Sequence, residues 1–272
     1  MTTTTAPTLV TSEDGTQIAV FVSGRGRPLV LVPGTTSDHT TWRLTVPLLE
    51  PHVEVRAVDR RGRGASGDGP RYSLAREFAD VAAVVDAAAA EHGGPVDLMG
   101  HSFGGNVAFG AAARTPNLRR LVLYEGWPVP DLADRTAAPG TLERLDELLA
   151  RNRPEELLET MYCDLVHLSD GEIAQLRSAP TWPARVAAAP TVPREVRAFG
   201  EQAFDPSEAA RIGVPVLLLV GEESPDDVRA DPGTVAAALP DARVEVLPGQ
   251  AHMAHLSAPE VLAAAVLDFL GD

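Results

Sequence analysis

Gly100-His101-Ser102-Phe103-Gly104 sets a serine in a G-x-S-x-G arrangement, a spacing that can raise a hydroxyl to attack a carbonyl carbon. The motif carries that meaning only between a strand and a helix. Val96 to Met99 reads as the strand, and Phe103 to about Arg114 as an Ala-rich helix. Glycines flank the serine because side chains would collide in so tight a turn. The plain alternative is a serine capping a Gly-rich helix start. A serine nucleophile needs a base, and His252 sits just past the last strand pattern, in a Pro-Gly turn ahead of the final helix. A loop at the carboxyl edge of a parallel sheet can bring an imidazole to such a hydroxyl. His255, one helical turn later, competes for the role. His52 and His92 fall at helix ends and read as surface residues, and His101 reads as a packing and hydrogen-bonding residue.

The elements that must position these groups alternate. Ile18 to Ser23 and Pro28 to Val32 read as strands joined by a glycine-rich hairpin connection, Gly24 to Arg27, and Val53 to Val58 as a third strand after a short helix around Trp42 to Leu49. Ser73 caps a helix that runs to Glu91 or His92, with Phe78, Val81, Val84 and Val85 at helical spacing. Strands follow at Val96 to Met99 and Leu118 to Tyr124. From Trp127 to about Pro206 the pattern turns helical and Pro-punctuated, with Leu142, Leu145, Leu148 and Leu149 on one stripe. The alternation resumes with Val214 to Val220, a short helix at Thr234 to Leu239, a strand at Arg243 to Leu247 and a helix from Pro259 to Leu270. This is the pattern of an α/β protein with a mainly parallel sheet and helices on both faces. The boundaries expected are a core at 1–125 and 207–272 with a helical cap at 126–206.

Composition removes several chemistries. All 23 basic residues among the 272 are arginine, so neither a lysine Schiff base nor a P-loop lysine is available. The lone cysteine, Cys163, cannot form an internal disulfide or frame a metal site. A net charge of −15 without a basic cluster disfavours nucleic acid as a partner. No apolar run approaches the roughly 20 residues that cross a bilayer. The Thr-rich start, Met1 to Pro7, lacks the pattern of a secretory signal, so the cytoplasm is the expected location. Gly62 to Gly67 has the form G-x-G-x-x-G but does not open a helix, which weakens a dinucleotide reading. No cofactor or metal is expected.

Four stretches together resemble the α/β-hydrolase fold family, of the actinobacterial kind with a helical cap: Val30 to Gly34, Asp59 to Ser66, the Gly100 to Gly104 turn, and Gly249-Gln250-Ala251-His252. The resemblance implies an eight-stranded sheet, a cap inserted after strand 6, and a triad in the order Ser, acid, His. It is similar in its histidine loop, which favours His252. It departs at the acid, because Gly221-Glu222-Glu223-Ser224 has serine where many members have aspartate. Glu125, at the end of the sixth strand, is the preferred acid, since some members use that location. Asp226 is the second choice. The oxyanion hole implied combines the Phe103 amide with that of Thr35, in Pro33-Gly34-Thr35-Thr36 where many members read His-Gly. Thr36, Asp38, His39 and Trp42 are expected to border the pocket, with Trp42 equally readable as a core anchor for its short helix. Trp127, Met161, Tyr162, Trp182 and Phe199 either shape the substrate pocket from the cap or form the cap's own core.

The reaction expected is hydrolysis of an ester, thioester or lactone through an acyl-enzyme on Ser102, with a small-molecule acyl substrate as the partner. Two other readings stand beside it. A cyclase, lyase or acyltransferase would use the same site without water, and a non-catalytic small-molecule-binding protein would keep only the pocket. The sequence carries no signal of oligomeric state.

Overall fold

Eight strands assemble into one sheet in a computed structural model that describes residues 6–130 and 139–271. The strands are β1 (Thr8–Thr11), β2 (Gln17–Gly24), β3 (Pro28–Val32), β4 (Glu54–Val58), β5 (Val96–His101), β6 (Leu118–Tyr124), β7 (Val216–Gly221) and β8 (Ala242–Leu247). Their spatial order is β1-β2-β4-β3-β5-β6-β7-β8. β1 pairs antiparallel with β2 and β2 with β4, while every later pairing is parallel. The central strands β3, β5 and β7 are wholly buried, as expected of strands covered on both faces. Of the expectations, the Thr-rich start falls partly, at Met1 to Thr5, outside the described residues.

Two differences from the sequence pattern have physical causes. The connection at Gly24 to Arg27 is not a hairpin, because β2 and β3 flank β4 on opposite sides: Gly24 and Pro28 both register with Glu54. Gly24 and Gly26 have φ of 77° and 112°, which lets the chain cross under the start of β4. The true hairpin is β1–β2, closed at Asp14-Gly15, and β1 escaped the pattern because it is a four-residue, largely exposed edge strand. The helix before β8 is also longer than expected, Asp226–Ala238, and it accommodates Pro232 in its interior.

Helices cover both faces. α2 (Leu74–His92), α3 (Phe103–Ala112) and α10 (Asp226–Ala238) pack on one side, with Phe78, Val85, Val107 and Val235 against Val30, Leu98 and Leu218. α1 (Val46–Leu49) and α12 (Pro259–Leu270) cover the other, where Trp42, Leu262 and Val266 meet Leu29, Met99 and Leu217. Ser73 caps α2 by accepting from the Arg76 amide, and Gly93 ends it in the left-handed region. No helix among the described residues is long and apolar enough to cross a membrane.

Between β6 and β7 lie α4 (Thr141–Ala150), α5 (Pro154–Asp164), α6 (Asp170–Ser178), α7 (Trp182–Ala188), α8 (Val192–Gly200) and α9 (Pro206–Ala209). The first five share an apolar cluster of their own, built on Leu145, Leu157, Leu158, Met161, Ile173 and Val192. Prolines at the first turns of α5, α7 and α8 punctuate this insertion without breaking it, since their missing N–H groups fall where a helix has no internal acceptor. Polar links then tie it to the sheet. Glu195 on α8 receives Arg60 Nη2 at 3.0 Å and also pairs with Arg63, both arginines following β4. All three side chains are essentially buried.

Candidate active site

β5 ends at His101 and α3 begins at Phe103, so Ser102 makes the turn alone, at φ 55° and ψ −132°. Such a conformation is costly for a residue with a Cβ and persists only where its surroundings over-determine it. They do so here: the Ser102 amide donates to the Tyr124 carbonyl at 2.9 Å, and the Gly105 amide donates to the Ser102 carbonyl at 2.8 Å. Side chains at Gly104 and Gly126 would run into the backbone carbonyls of Val32, Pro33 and Ser102, which gives those glycines their reason. Ser102 itself is half-buried. Three of the five non-glycine residues with positive φ among those described are Thr36, Ser102 and Glu125, so the strain concentrates at one edge of the sheet.

Glu125 leaves β6 at φ 42°, and its carboxylate gathers three donors. His252 Nδ1 lies 2.8 Å from Oε2, while the Gly221 amide at 2.8 Å and the Ser224 hydroxyl at 2.5 Å reach Oε1. Burial alone would raise this carboxyl, but the hydrogen bonds from His252, Ser224 and Gly221 outweigh it and hold the group below its ordinary value. A charged carboxylate there fixes the imidazole with its proton on Nδ1 and Nε2 free to accept. The loop that carries His252 is pinned as well. His101 donates through Nε2 to the His252 carbonyl at 2.8 Å, Tyr124 donates its hydroxyl to the Ala251 carbonyl, and the Ala254 amide donates to the Tyr124 oxygen at 2.9 Å. His101 and His255 are buried beside His252, with ring centroids of His101 4.7 Å from His252 and 4.5 Å from His255. Burial pushes both His101 and His255 well below the ordinary histidine value, so they stay neutral.

The loop after β3 lies against the nucleophile turn. A Cβ on Gly34 would stand 3.0 Å from Ser102 Cβ and 3.4 Å from its Oγ. The Gly34 carbonyl accepts from Arg60 Nη2 at 3.3 Å and Arg63 Nη1 at 3.4 Å. No peptide bond described is cis, so the Thr35 N–H, on the opposite edge of that same peptide plane, points away from the arginines. Further along, Thr36 Oγ1 and Tyr162 OH are 2.8 Å apart, and Arg185 of α7 reaches Thr36, Ser37 and Tyr162.

Of the other residues singled out in the sequence, Asp226 begins α10 with an exposed side chain bonded to Arg229, and the His252 partner is Glu125. His39 is spent elsewhere than a pocket: its amide and Nδ1 both bond Asp59 Oδ1 at 2.8 Å, and its ring stacks on Phe21. Trp127 is packed in the α2–α3 side of the core, and Trp182 belongs to the insertion's cluster. Tyr162 shares that cluster but carries its hydroxyl to Thr36. A cleft of about 360 Å³ opens between α6 and residues 249–257, which end in the short helix α11 (Ala254–Ser257), with Arg43, Leu176, Ala251 and Met253 among its walls. Sequence reasoning missed Ser224, Tyr124, Arg60, Arg63, Glu195 and Arg185. Ser224 alone carried a signal, by standing where an acid is usual.

A serine on a strained strand-to-helix turn of a doubly covered, mainly parallel sheet, with a histidine and carboxylate meeting at the same edge, defines the α/β-hydrolase class. The sequence pattern of the Alpha/beta hydrolase family matches residues 29–265, and the chain belongs to that family. It is similar to an alpha/beta hydrolase from Sphaerobacter thermophilus, at 34% identity over 97% of this chain and 100% of that one, with a TM-score of 0.84. It is 39% identical to the N-formylmaleamate deformylase of Pseudomonas putida over a stretch that spans 38% of each chain. Pimeloyl-[acyl-carrier protein] methyl ester esterase of Neisseria meningitidis is 28% identical over 90% of this chain and 93% of its own length. Relatives across this range are named as hydrolases and esterases.

Proposed function

We propose that the chain is a serine hydrolase that cleaves an ester, thioester or lactone through an acyl-enzyme on Ser102. The observation that carries this reading is the Glu125 carboxylate, bonded to His252 Nδ1 beside a serine in a nucleophile turn. In this mechanism Ser102 Oγ bonds the substrate carbonyl carbon while its proton passes to His252 Nε2. The carbonyl oxygen becomes an oxyanion and is received by the Phe103 and Thr35 amides. Collapse breaks the carbon–leaving-group bond, and His252 returns its proton to the departing oxygen or sulfur. Water, deprotonated by the same imidazole, then releases the acid and restores Ser102. Glu125 orients His252 and stabilises the imidazolium between these steps. Arg60 and Arg63, by holding the Gly34 carbonyl, act as positioning residues for the Thr35 amide. The helical segment between β6 and β7 serves as the cap over this edge.

The test is turnover of 4-nitrophenyl acyl esters of increasing chain length by the wild type, beside labelling with a fluorophosphonate. Turnover together with labelling that Ser102→Ala abolishes supports the reading. A wild type that labels yet leaves every ester intact points to an acceptor other than water. A wild type that neither labels nor turns over overturns the nucleophile assignment.

A further inference from the structure

Five arginine side chains are buried among the described residues: Arg56, Arg60, Arg61, Arg63 and Arg185. The first four each meet a carboxylate. Arg56 pairs with Glu54 and Glu91, Arg60 with Glu77 and Glu195, Arg61 with Asp14 and Asp80, and Arg63 with Glu195. Arg185, only 3% exposed, meets none among the described residues. Its partners are neutral hydroxyls: Nη1 donates to Ser37 at 2.9 Å and to Thr36 and Tyr162 at 3.3 Å, and Nη2 donates to Thr41 at 3.2 Å. Nε has no partner among the described residues. A guanidinium taken out of water is strongly disfavoured unless an anion accompanies it. The molecule supplies that anion to every other buried arginine.

The unused donors are arranged for a particular guest. With Nη1 spent on hydroxyls and one Nη2 hydrogen on Thr41, the Nε–H and a second Nη2–H remain. The Nε–Nη2 edge of a guanidinium is a fork that matches the two oxygens of a carboxylate. Its place matters equally. Thr36 and Ser37 directly follow Thr35, and Thr41 Oγ1 lies 3.3 Å from His255 Nε2, so the guanidinium sits beside the loop that packs on Ser102. Of the neighbouring titratable groups, His101 and His255 are neutral through burial, with Arg185 disfavouring their charged forms further, and Arg43 is a second cation that Arg185 repels. Among the described residues no carboxylate is paired with Arg185.

We propose that Arg185 is a substrate-binding residue for a carboxylate, so that this enzyme acts on acyl compounds bearing a free carboxylate a few atoms from the scissile carbonyl. The proposal rests on the reading of Ser102 as the nucleophile. Arg185 thereby selects among esters by charge, and the carboxylate completes a buried cation that the described residues leave without a carboxylate.

A matched pair of substrates tests it: mono-4-nitrophenyl glutarate against 4-nitrophenyl valerate, which differ in a terminal carboxylate against a methyl. The wild type prefers the glutarate ester in kcat/KM, and Arg185→Gln reduces that preference roughly 100-fold, mainly through KM. A wild type that prefers the valerate ester, or a preference unchanged by Arg185→Gln, overturns the proposal. Binding is read separately by thermal shift. Glutarate raises the Tm of Ser102→Ala protein but not of Ser102→Ala/Arg185→Gln protein, with Arg185→Met in place of Gln should the latter fail to fold. If neither ester is turned over, the hydrolysis reading falls while the thermal shift still decides Arg185. An Arg185-dependent shift larger with inorganic phosphate than with glutarate also overturns the carboxylate assignment.

Discussion

The two halves of the candidate site are held by different regions of the molecule. The hydrogen bonds on His252 and Glu125 come from the core: Tyr124 and Glu125 from the end of β6, Gly221 and Ser224 from the end of β7, and His101 from β5, while the neighbouring Met253 packs on the insertion's apolar cluster. The loop after β3 is instead held from the helical insertion. Tyr162 and Arg185 bond Thr36 and Ser37, and Glu195 seats the two arginines that grip the Gly34 carbonyl. The difference separates proton transfer from oxyanion binding. The hydrogen bonds of the acid–base pair do not run through the insertion, whereas those of the loop whose amide is expected to receive the oxyanion do.

Ser102→Ala removes the group common to both halves and has the largest effect, a loss on the order of 10⁶-fold in ester turnover in a steady-state assay. Glu125→Gln attacks only the core-built half and lowers kcat on the order of 10⁴-fold, with the β3 loop and the Tm little changed. Glu195→Gln attacks only the insertion-held half. It leaves Arg60 and Arg63 short of negative charge in a buried place, costing about 3 kcal/mol of stability in denaturant unfolding. It also lowers kcat roughly tenfold as the Gly34–Thr35 peptide loosens. Equal kcat losses in Glu125→Gln and Glu195→Gln, or a Glu195→Gln protein with unchanged kcat, would break the division.

A pH titration of stability sharpens the same comparison at smaller scale. The Glu125 carboxyl lies below its ordinary value in the folded protein, so the unfolded chain binds its proton first as pH falls. Its contribution is complete above the unfolded glutamate value, about 4.3, and is lost as pH falls through the lower folded value. Urea midpoints measured from neutral pH downward should therefore fall less steeply below about pH 4.3 in Glu125→Gln than in the wild type. The smallest effect belongs to Asp226→Asn, whose exposed side chain faces Arg229; its turnover should stay within about twofold of the wild type.

The core half was largely legible in the sequence because its signals are local. G-x-S-x-G between a strand and a helix announces Ser102, and a strand end followed by a Pro-Gly turn announces His252. Glu125 was readable as a strand-end carboxylate, and the serine at 224 was visible as a departure without revealing that it donates to that carboxylate. The insertion half was illegible for the opposite reason. Arg185 and Glu195 lie in short, Pro-started helices whose partners after β3 and β4 are more than 100 residues away in the chain, and no spacing rule links a charge on α7 or α8 to the loop after β3. In the fold, strand order suffered in the same way. The sequence pattern locates β2, β3 and β4, yet only long-range pairing places β4 between the other two.

Ser224 and Glu125 end adjacent strands, and 2.5 Å separates the hydroxyl from the carboxylate oxygen. In evolutionary terms the site has two berths for one negative charge. A Ser224→Asp change would place two carboxyls in contact, and such a pair shares a proton, so one of them would remain a donor as the serine is now. The acid could then pass from one strand to its neighbour by single substitutions, without the lineage ever crossing a state in which His252 has no anion beside it.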